Sequence, residues 1–175
     1  MKPGENEKAG PITDFLVKDH GRLEGLLQSA VAQAGSVDQG MYDQFRAGLL
    51  RHIGMEEKIL LPAAQRLRGG EPLSIAAKLR LDHGAIASLL MPPPSAAVIA
   101  TIRAVLKVHN TIEEGLGGLY ETCDALAGSA AAQLLAKLQA APELAVLPCS
   151  DSPVVMPAVV RALERAGYGF CEHTT

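Results

Sequence analysis

The sequence predicts an all-α protein: an up-down-up-down four-helix bundle followed by a short helical C-terminal extension. Apolar residues recur every three or four positions along most of the chain, as one face of a helix requires, and strand-like alternation is hard to find. The segments marked in this way are separated by short connections rich in Gly and Pro, which favour antiparallel neighbours. With 175 residues and a hydrophobic fraction of 48%, the chain can build one domain with a sizeable core.

The first two amphipathic segments are each closed by glycine. The first runs from about Ile12 to Ala34 and ends at Gly35. The second runs from about Val37 to Arg68, and Gly69 follows it. Pro62 lies inside the second segment, where its missing N–H should kink or interrupt the last turns.

The next two segments are bounded by proline and serine. The third begins near Pro72 and ends near Met91, where three consecutive prolines stop it. Ser95 is a candidate N-cap for the fourth segment, which is predicted to continue to about Leu126 with Leu116 on its apolar stripe.

The chain changes character after the fourth segment. We therefore assign residues 12–127 to the bundle and residues 128–175 to an extension packed on it, with no role evident from its sequence. Repeated prolines divide the extension into two short helical stretches, Ser129–Ala140 and Val154–Ala166.

Composition excludes several classes of partner. The net charge is −3 and aromatic residues make up 3% of the chain, so neither a basic nucleic-acid footprint nor a base-stacking groove is expected. No apolar run is long enough for a membrane span, and the N-terminus is too polar for a signal peptide. Three scattered Cys do not make a disulfide scaffold. We expect a cytoplasmic protein without nucleic-acid or membrane partners.

Each apolar stripe contains polar residues at the same helical spacing. The positions concerned are His20, His52 with Glu56, His83, and His109 with Glu113. All steps along the stripes are three or four residues, so these side chains should lie on the buried faces. A single buried His is usually a hydrogen-bonded core residue. Here four of the five His lie on such faces, one on each segment.

This set of residues suits a pair of metal ions. Buried carboxylates are costly without a cation, and a His with a Glu four residues later points both side chains at one place. Four imidazoles and two carboxylates would satisfy two metals bridged by the carboxylates. Mixed nitrogen and oxygen ligation with open positions favours an oxo- or hydroxo-bridged pair of irons, with Mn or Zn as substitutes. The competing interpretation is a core of Glu–His⁺ ion pairs.

An internal repeat supports a symmetric site. The segment KDHGRLEGLL (18–27) aligns with LDHGAIASLL (81–90), and HIGMEE (52–57) aligns with HNTIEE (109–114). The bundle is therefore predicted to contain the same unit twice, a helix with one His followed by a helix with His-x-x-x-Glu-Glu.

These motifs, in this order, resemble the hemerythrin-like family in its HHE cation-binding form. The resemblance covers roughly residues 12–126 and implies the same four-helix bundle with a non-haem di-iron centre inside it. Carried over, His20 and His52 would bind one iron, and His83 and His109 the other. The bridging carboxylates implied by the resemblance are Glu56 and Glu113.

The chain departs from the oxygen-carrying members of that family. They have a fifth ligand His one helical turn from the third-helix His, where this chain has Leu79 and Ala87. Their last bridging carboxylate is an Asp one residue further along, at the position of Glu114. Symmetric four-His members occur among sensors and among stress proteins. The resemblance therefore implies di-iron binding more strongly than it implies reversible oxygen carriage.

Five other residues lie beside the predicted ligands. Glu57 and Glu114 should point about 100° away from the ligand carboxylates, into a solvated or interhelical position. Asp19 and Asp82 are candidates to accept a hydrogen bond from a ligand imidazole, with a surface position as the alternative. Tyr120 is expected to be a core residue that could line the floor of the site.

Three functions compete at this stage. The first is a non-haem di-iron protein that binds or senses a small diatomic ligand, O2 or NO, or handles iron, with no organic substrate and no catalytic residue of its own. The second is a di-iron redox enzyme, or an iron donor for iron–sulfur cluster repair under nitrosative or oxidative stress. The third is a purely structural bundle. Ferroxidase chemistry is disfavoured because the stripes have no Glu-x-x-His pair. Signalling would need a protein partner or a second copy of the chain.

Overall fold

The computed structural model describes residues 9–172, and within this range the chain is a bundle of helices without a strand. The α-helices are α1 (Pro11–Ala30), α2 (Gln39–Met55), α3 (Leu61–Leu67), α4 (Ala76–Leu89), α5 (Ala96–Glu114), α6 (Leu119–Ala127), α7 (Ala131–Gln139) and α8 (Val155–Ala166). The predicted all-α class is confirmed. The polar residues 1–8 and the last residues of the extension, 173–175, lie outside the described range.

Side-chain oxygens satisfy the first N–H groups of three helices. Asp38 accepts a hydrogen bond from the backbone of Met41 at the start of α2, and Ser95 does the same for α5. Gly10, the N-cap of α1, has no side chain to offer. Asp124 of α6 supplies the cap instead, accepting from the N–H of Ile12 at 3.0 Å and of Thr13 at 2.9 Å.

The predicted interruption near Pro62 is a π-helical turn, Glu56–Leu60, that joins α2 to α3. At this turn the N–H of Leu61 donates to the carbonyl of Glu56, five residues earlier, instead of four. Pro62 follows at the start of α3, where its missing N–H costs least. The second segment therefore continues past the proline with one widened turn that begins at a predicted metal ligand.

The fourth predicted segment is wrong as one continuous helix. The chain leaves the helical path after Glu114 and α6 starts at Leu119, because Gly117 adopts φ +68° and Gly118 packs directly against the last carbonyl groups of α5. A Cβ on Gly118 would lie 2.6 Å from the carbonyl oxygen of Glu113. Leu116 projects from this turn and is 100% exposed, so it is not on the apolar stripe.

Two apolar clusters lie on either side of the predicted ligands. One contains Leu23 of α1, Leu49 of α2, Ile86 of α4 and Val105 of α5. The other contains Leu16, Met55 and Leu79 together with residues of α6 and α7. Each predicted ligand His therefore lies between a residue of one cluster and a residue of the other on its own helix.

The extension contributes two helices. α7 packs against α1 and the π-helical turn, and α8 packs against α4, where Val159 and Leu163 are fully buried in the first cluster. Lys78 of α4 donates to the carbonyl oxygen of Ala166, the last residue of α8, at 2.8 Å. No helix in the described range is both long and apolar enough to cross a membrane.

Candidate metal centre

Six predicted side chains meet in the layer between the two apolar clusters. They form two groups that share both carboxylates: His20, His52, Glu56 and Glu113 in the first, and Glu56, His83, His109 and Glu113 in the second. Within each group the candidate ligand atoms all lie within 4.8 Å of one another. Both carboxylates are fully buried, and the least buried imidazole, that of His20, has a side chain only 8% exposed.

Glu56 directs one oxygen to each group. Its Oε1 lies 3.3 Å from Nε2 of His52, four residues earlier on the same helical segment. Its Oε2 lies 3.1 Å from Nε2 of His83 on α4. A carboxylate with this orientation can bridge two cations, because each oxygen has its own imidazole neighbour.

Glu113 repeats this arrangement from α5. Its Oε1 lies 3.0 Å from Nε2 of His109, again four residues earlier. Its Oε2 faces the first group and lies 3.5 Å from Nε2 of His20. The two halves of the internal repeat thus contribute equivalent His–Glu pairs to one centre.

The aspartates that precede the single His residues hold imidazoles of the following helices. Asp19 Oδ2 lies 2.8 Å from Nδ1 of His52. Asp82 Oδ2 lies 3.3 Å from Nδ1 of His109. Both aspartates are buried, with exposures of 9% and 0%, so they face the interior.

The glutamates that follow the predicted bridges hold the other two imidazoles. Glu57 Oε1 lies 2.6 Å from Nδ1 of His83, and Glu114 pairs with Nδ1 of His20. These positions are interhelical. Glu57 can share His83 with its neighbour Glu56 because both residues belong to the widened π-helical turn.

Every imidazole of the centre therefore has a carboxylate at Nδ1 and directs Nε2 inwards. The carboxylate favours a proton on Nδ1, which leaves the Nε2 lone pair free for a metal. In the sequence, this outer ring of four carboxylates is visible only as an Asp before His20 and before His83, and a Glu after each bridging Glu. Which imidazole each carboxylate holds depends on helix packing.

Charge is balanced inside the centre by the carboxylates. Burial opposes a charge on His52, but Glu56 and Asp19 outweigh it and raise the pKa of His52 to about 10. In the same way burial is outweighed by neighbouring carboxylates, which raise the pKa of His83 to about 11 and that of His109 to about 9. Burial and the charge of His52 lower the pKa of His20. Without a metal, these raised pKa values favour the protonated form of His52, His83 and His109.

A tyrosine from α6 also reaches the first group. The Tyr120 hydroxyl donates to Oε1 of Glu56 at 2.6 Å and lies 3.0 Å from Oε2 of Glu113. The same oxygen lies 3.1 Å from Nε2 of His20 and 3.2 Å from Nε2 of His52. Burial and the two carboxylates raise the pKa of Tyr120, so the phenol keeps its proton while no cation is present.

The donor set fits a pair of cations. Three fully buried atoms at the second group have no hydrogen-bond partner among residues 9–172: Oε2 of Glu56, Nε2 of His83 and Oε1 of Glu113. Nε2 of His83 lies 3.1 Å from Oε2 of Glu56 and 3.7 Å from Oε1 of Glu113. Buried polar atoms without partners are rare in folded proteins. A metal bound by all three would satisfy them.

The positions of the absent fifth His do not supply a ligand. Leu79 is fully buried in the apolar cluster below the second group, and Ala87 has no donor atom in its side chain. The second group therefore has two imidazoles and two carboxylate oxygens from the six predicted ligands, and nothing from these turns of α4.

A surface cleft of about 480 Å³ reaches the centre at the His20 side. It lies between α1 and α5 and is lined by Leu23, Leu106, Arg103 and Lys107 as well as by His20 and Glu114. A molecule of a few atoms could approach the Glu114–His20 pair through this cleft.

Comparison with known families gives one match. The model of the Hemerythrin HHE cation binding domain matches residues 12–92, a range that contains His20, His52, Glu56 and His83 and ends before α5 begins. No curated protein and no solved structure matches the chain. The resemblance drawn from the motifs is confirmed over the matched residues, and the structure adds His109 and Glu113 to the same centre from outside that range.

Proposed function

From the hemerythrin HHE cation-binding domain in residues 12–92, we propose that this protein holds two iron ions in the layer between its apolar clusters. One iron would be bound by His20 and His52, and the other by His83 and His109. Glu56 and Glu113 would bridge the two. Bound iron would supply a redox-active centre with open coordination positions for a small ligand.

The single observation that carries this proposal is the orientation of the two carboxylates. Each directs one oxygen at each pair of imidazoles, at distances of 3.0–3.5 Å to the nearest Nε2. A core of ion pairs needs only one contact per charge. Two buried carboxylates that each divide their oxygens between two imidazole pairs, with three polar atoms left unpartnered, favour two cations over protons.

The outer carboxylates support the same assignment. They fix each Nδ1 and make the inward Nε2 a better electron-pair donor, as the outer partners of metal-bound imidazoles do. Six carboxylates surround the four imidazoles when the bridging pair is included. This excess of negative charge favours cations at the centre over anions.

We propose that the ligand of this centre is a small diatomic molecule, O2 or NO, or that the protein handles iron itself. The cleft beside His20 and the lack of a fifth His one helical turn from His83 support a role in binding or sensing a small ligand. The alternative is a di-iron redox enzyme or an iron donor for iron–sulfur cluster repair. Reversible and irreversible reactions with O2 distinguish this alternative from ligand binding.

An up-down-up-down path for the four ligand-bearing segments is part of this proposal. α1 and α4 pass from the cluster of Leu16 and Leu79 to that of Leu23 and Ile86, whereas α2 passes in the opposite direction, from Leu49 to Met55. Short connections, residues 31–38 and 90–95, favour the same alternation. We take residues 12–127 as the functional unit and residues 128–175 as an extension.

The test is metal content with an optical spectrum. The protein is reconstituted anaerobically with ferrous iron, and the iron per chain and the absorption spectrum are recorded before and after exposure to air. We expect about two irons per chain and oxo-bridge charge-transfer bands after oxidation. Glu113→Gln should lose most of the bound iron and these bands, whereas Glu164→Gln, an exposed carboxylate on α8, should keep both.

The outcomes separate the functions. A band that appears with O2 and disappears on its removal supports ligand binding, whereas rapid irreversible oxidation supports redox enzymology or iron donation. A folded protein that takes up no metal contradicts the di-iron proposal and leaves the ion-paired core.

A further inference from the structure

We propose that the phenol oxygen of Tyr120 is a seventh protein ligand of the centre, bound to the iron that His20 and His52 hold. This inference rests on the proposed function and adds an asymmetry that the repeated motifs do not contain. The iron held by His83 and His109 would then be the one with an open position for an external ligand.

The first argument is the set of distances around the phenol oxygen. In a six-coordinate site with bonds of about 2.1 Å, neighbouring ligand atoms lie about 3 Å apart. The Tyr120 oxygen lies 2.6, 3.0, 3.1 and 3.2 Å from the four ligand atoms of the first group. It therefore keeps the separation expected of another ligand in the same shell.

The second argument is hydrogen-bond capacity. Metal binding requires neutral imidazoles, and the carboxylates at Nδ1 of His20 and His52 then leave only lone pairs on both Nε2 atoms. The phenol has one proton, which it donates to Glu56 at 2.6 Å. Its contacts with His20, His52 and Glu113 would then bring lone pairs together. In the metal-free protein the protonated His52 supplies a hydrogen to its contact, so the conflict arises only once the imidazoles are neutral, and a cation bound among these atoms removes it.

The third argument is the contrast with the second group. Its atoms Glu56 Oε2, His83 Nε2 and Glu113 Oε1 have no hydrogen-bond partner among the described residues, so none of them is bonded to a tyrosine hydroxyl there. The two metal positions therefore have the same number of imidazoles and carboxylates. They differ in the phenol oxygen, which lies beside the first position only.

The break between α5 and α6 lies just before the residue that places its phenol in the centre. In an uninterrupted helix Tyr120 would lie about 10 Å along the axis from Glu113. The turn at Gly115–Gly118 instead brings its hydroxyl to 3.0 Å from the Glu113 carboxylate. The hydroxyl is held there by α6, which the bonds from Ile12 and Thr13 to Asp124 tie to α1.

Coordination is balanced by the loss of one proton. The phenol O–H is replaced by an oxygen–iron bond, and its proton is released to solvent, as protons are whenever a protonated side chain becomes a metal ligand. No electron is transferred in this step.

The test uses the full chain loaded with iron and oxidised to the ferric state. A phenolate bound to ferric iron gives a charge-transfer band in the visible region, and Raman excitation in that band enhances phenolate vibrations. The chain contains only three Tyr, so each can be replaced by Phe. We expect the band and its vibrations in the wild type, in Tyr42→Phe and in Tyr168→Phe, and their complete loss in Tyr120→Phe.

The iron content separates this proposal from the function it rests on. If Tyr120→Phe keeps the wild-type iron content and loses the phenolate band, coordination of iron by Tyr120 is supported. A wild-type protein that holds two irons without phenolate vibrations, or an unchanged band in Tyr120→Phe, overturns coordination and leaves Tyr120 as a hydrogen-bond donor to Glu56. A folded wild type that takes up no iron overturns the di-iron function itself.

A measurement on the wild type covers the case in which Tyr120→Phe does not fold. Protein grown with ring-deuterated tyrosine should show the Raman modes shifted relative to unlabelled protein. Modes that do not shift would exclude a phenolate ligand without any substitution.

Discussion

Asp19 illustrates how a residue outside the six ligands controls the centre. Its carboxylate contacts Nδ1 of His52 at 2.8 Å and Nε of Arg22 at 2.7 Å. Burial opposes its charge, but these bonds outweigh burial and lower the pKa of Asp19 to about 2. The residue is therefore ionised at any working pH and holds the His52 ring in one orientation.

Asp19→Asn should weaken iron binding without removing a ligand. Loss of the carboxylate leaves the orientation and basicity of His52 poorly supported, for which we expect a drop in metal affinity of about 10–100-fold. Competition with a chelator measures this affinity. Asp14→Asn, in the first turn of the same helix, serves as the control. Equal affinities of Asp19→Asn and wild type would contradict a role for Asp19 at the centre.

The metal-free protein should lose stability as pH rises. The pKa values of His52, His83 and His109 are raised to about 10, 11 and 9, above the ordinary value of 6.5 expected in the unfolded chain. Their contribution is fully present below pH 6.5 and is lost as pH rises through these folded-state values. Urea unfolding of chelator-treated protein at pH 7 and pH 10 measures the change. Equal stability at both values would show that these imidazoles are neutral.

The six predicted ligands could be read from the sequence because they follow the helical period, whereas Tyr120 could be predicted only as a core residue that could line the floor of the site. The steps from His52 to Glu56 and from His109 to Glu113 specify one helix face whatever the packing. The position of the Tyr120 hydroxyl depends on the glycine turn after Glu114 and on the packing of α6 against α1. The same limit applies to the partners of the outer carboxylates, since each pair joins two helices.

At the scale of elements, the side chain of Asp124 on α6 binds the first turn of α1. Asp124 accepts from the N–H groups of Ile12 and Thr13 and from the Thr13 hydroxyl at 2.7 Å. The close packing here requires a glycine, because a Cβ on Gly10 would lie 2.2 Å from the Asp124 side chain. α1 carries His20 and α6 carries Tyr120, so this junction sets the distance between those two residues.

Asp124→Ala should destabilise the fold by about 2 kcal/mol, because hydrogen bonds to a charged group are worth roughly 1.5–3 kcal/mol and the start of α1 has no other side-chain cap. Urea unfolding measures the loss. Asp151→Ala, an exposed residue of the extension, is the matched control. A difference between the two variants below about 0.5 kcal/mol would mean that water replaces the cap fully.

Helix existence was predictable, but two changes of helix geometry were not. Serine at position 95 and proline near position 62 indicated a helix start and an interruption from the local chain alone. The interruption is a widened turn that keeps the chain helical, and a glycine turn divides the fourth segment at residues 115–118. Local patterns do not distinguish a break from a reshaped helix, because tertiary packing decides between them.

At the scale of the whole molecule, the extension completes the first apolar cluster. Leu163 of α8 is fully buried against this cluster, whereas Val160 on the same helix is 37% exposed. Leu163→Ala should cost about 2–5 kcal/mol of stability, since it leaves a cavity in a packed interior. Val160→Ala should cost much less. Thermal unfolding of both metal-free variants compares them, and equal losses would show that α8 does not belong to the core.

The overall architecture was more predictable than the place of the extension. Periodicity and short connections predict helices and a bundle. The amphipathic stretch Val154–Ala166 predicts a helix with one buried face, but not which helix of the bundle it packs against. Its docking on α4 depends on the shape of a surface that several helices build together.

Lys78 joins the extension to the centre, and this has a thermodynamic consequence. Its ammonium group contacts Asp82, the partner of His109, and also the carbonyl that ends α8. Linked equilibria are reciprocal. If metal binding strengthens the packing of α8 against α4, the packing of α8 must strengthen metal binding by the same free energy. A protease should therefore remove the C-terminal helix at a different rate when the centre holds metal than when it is metal-free.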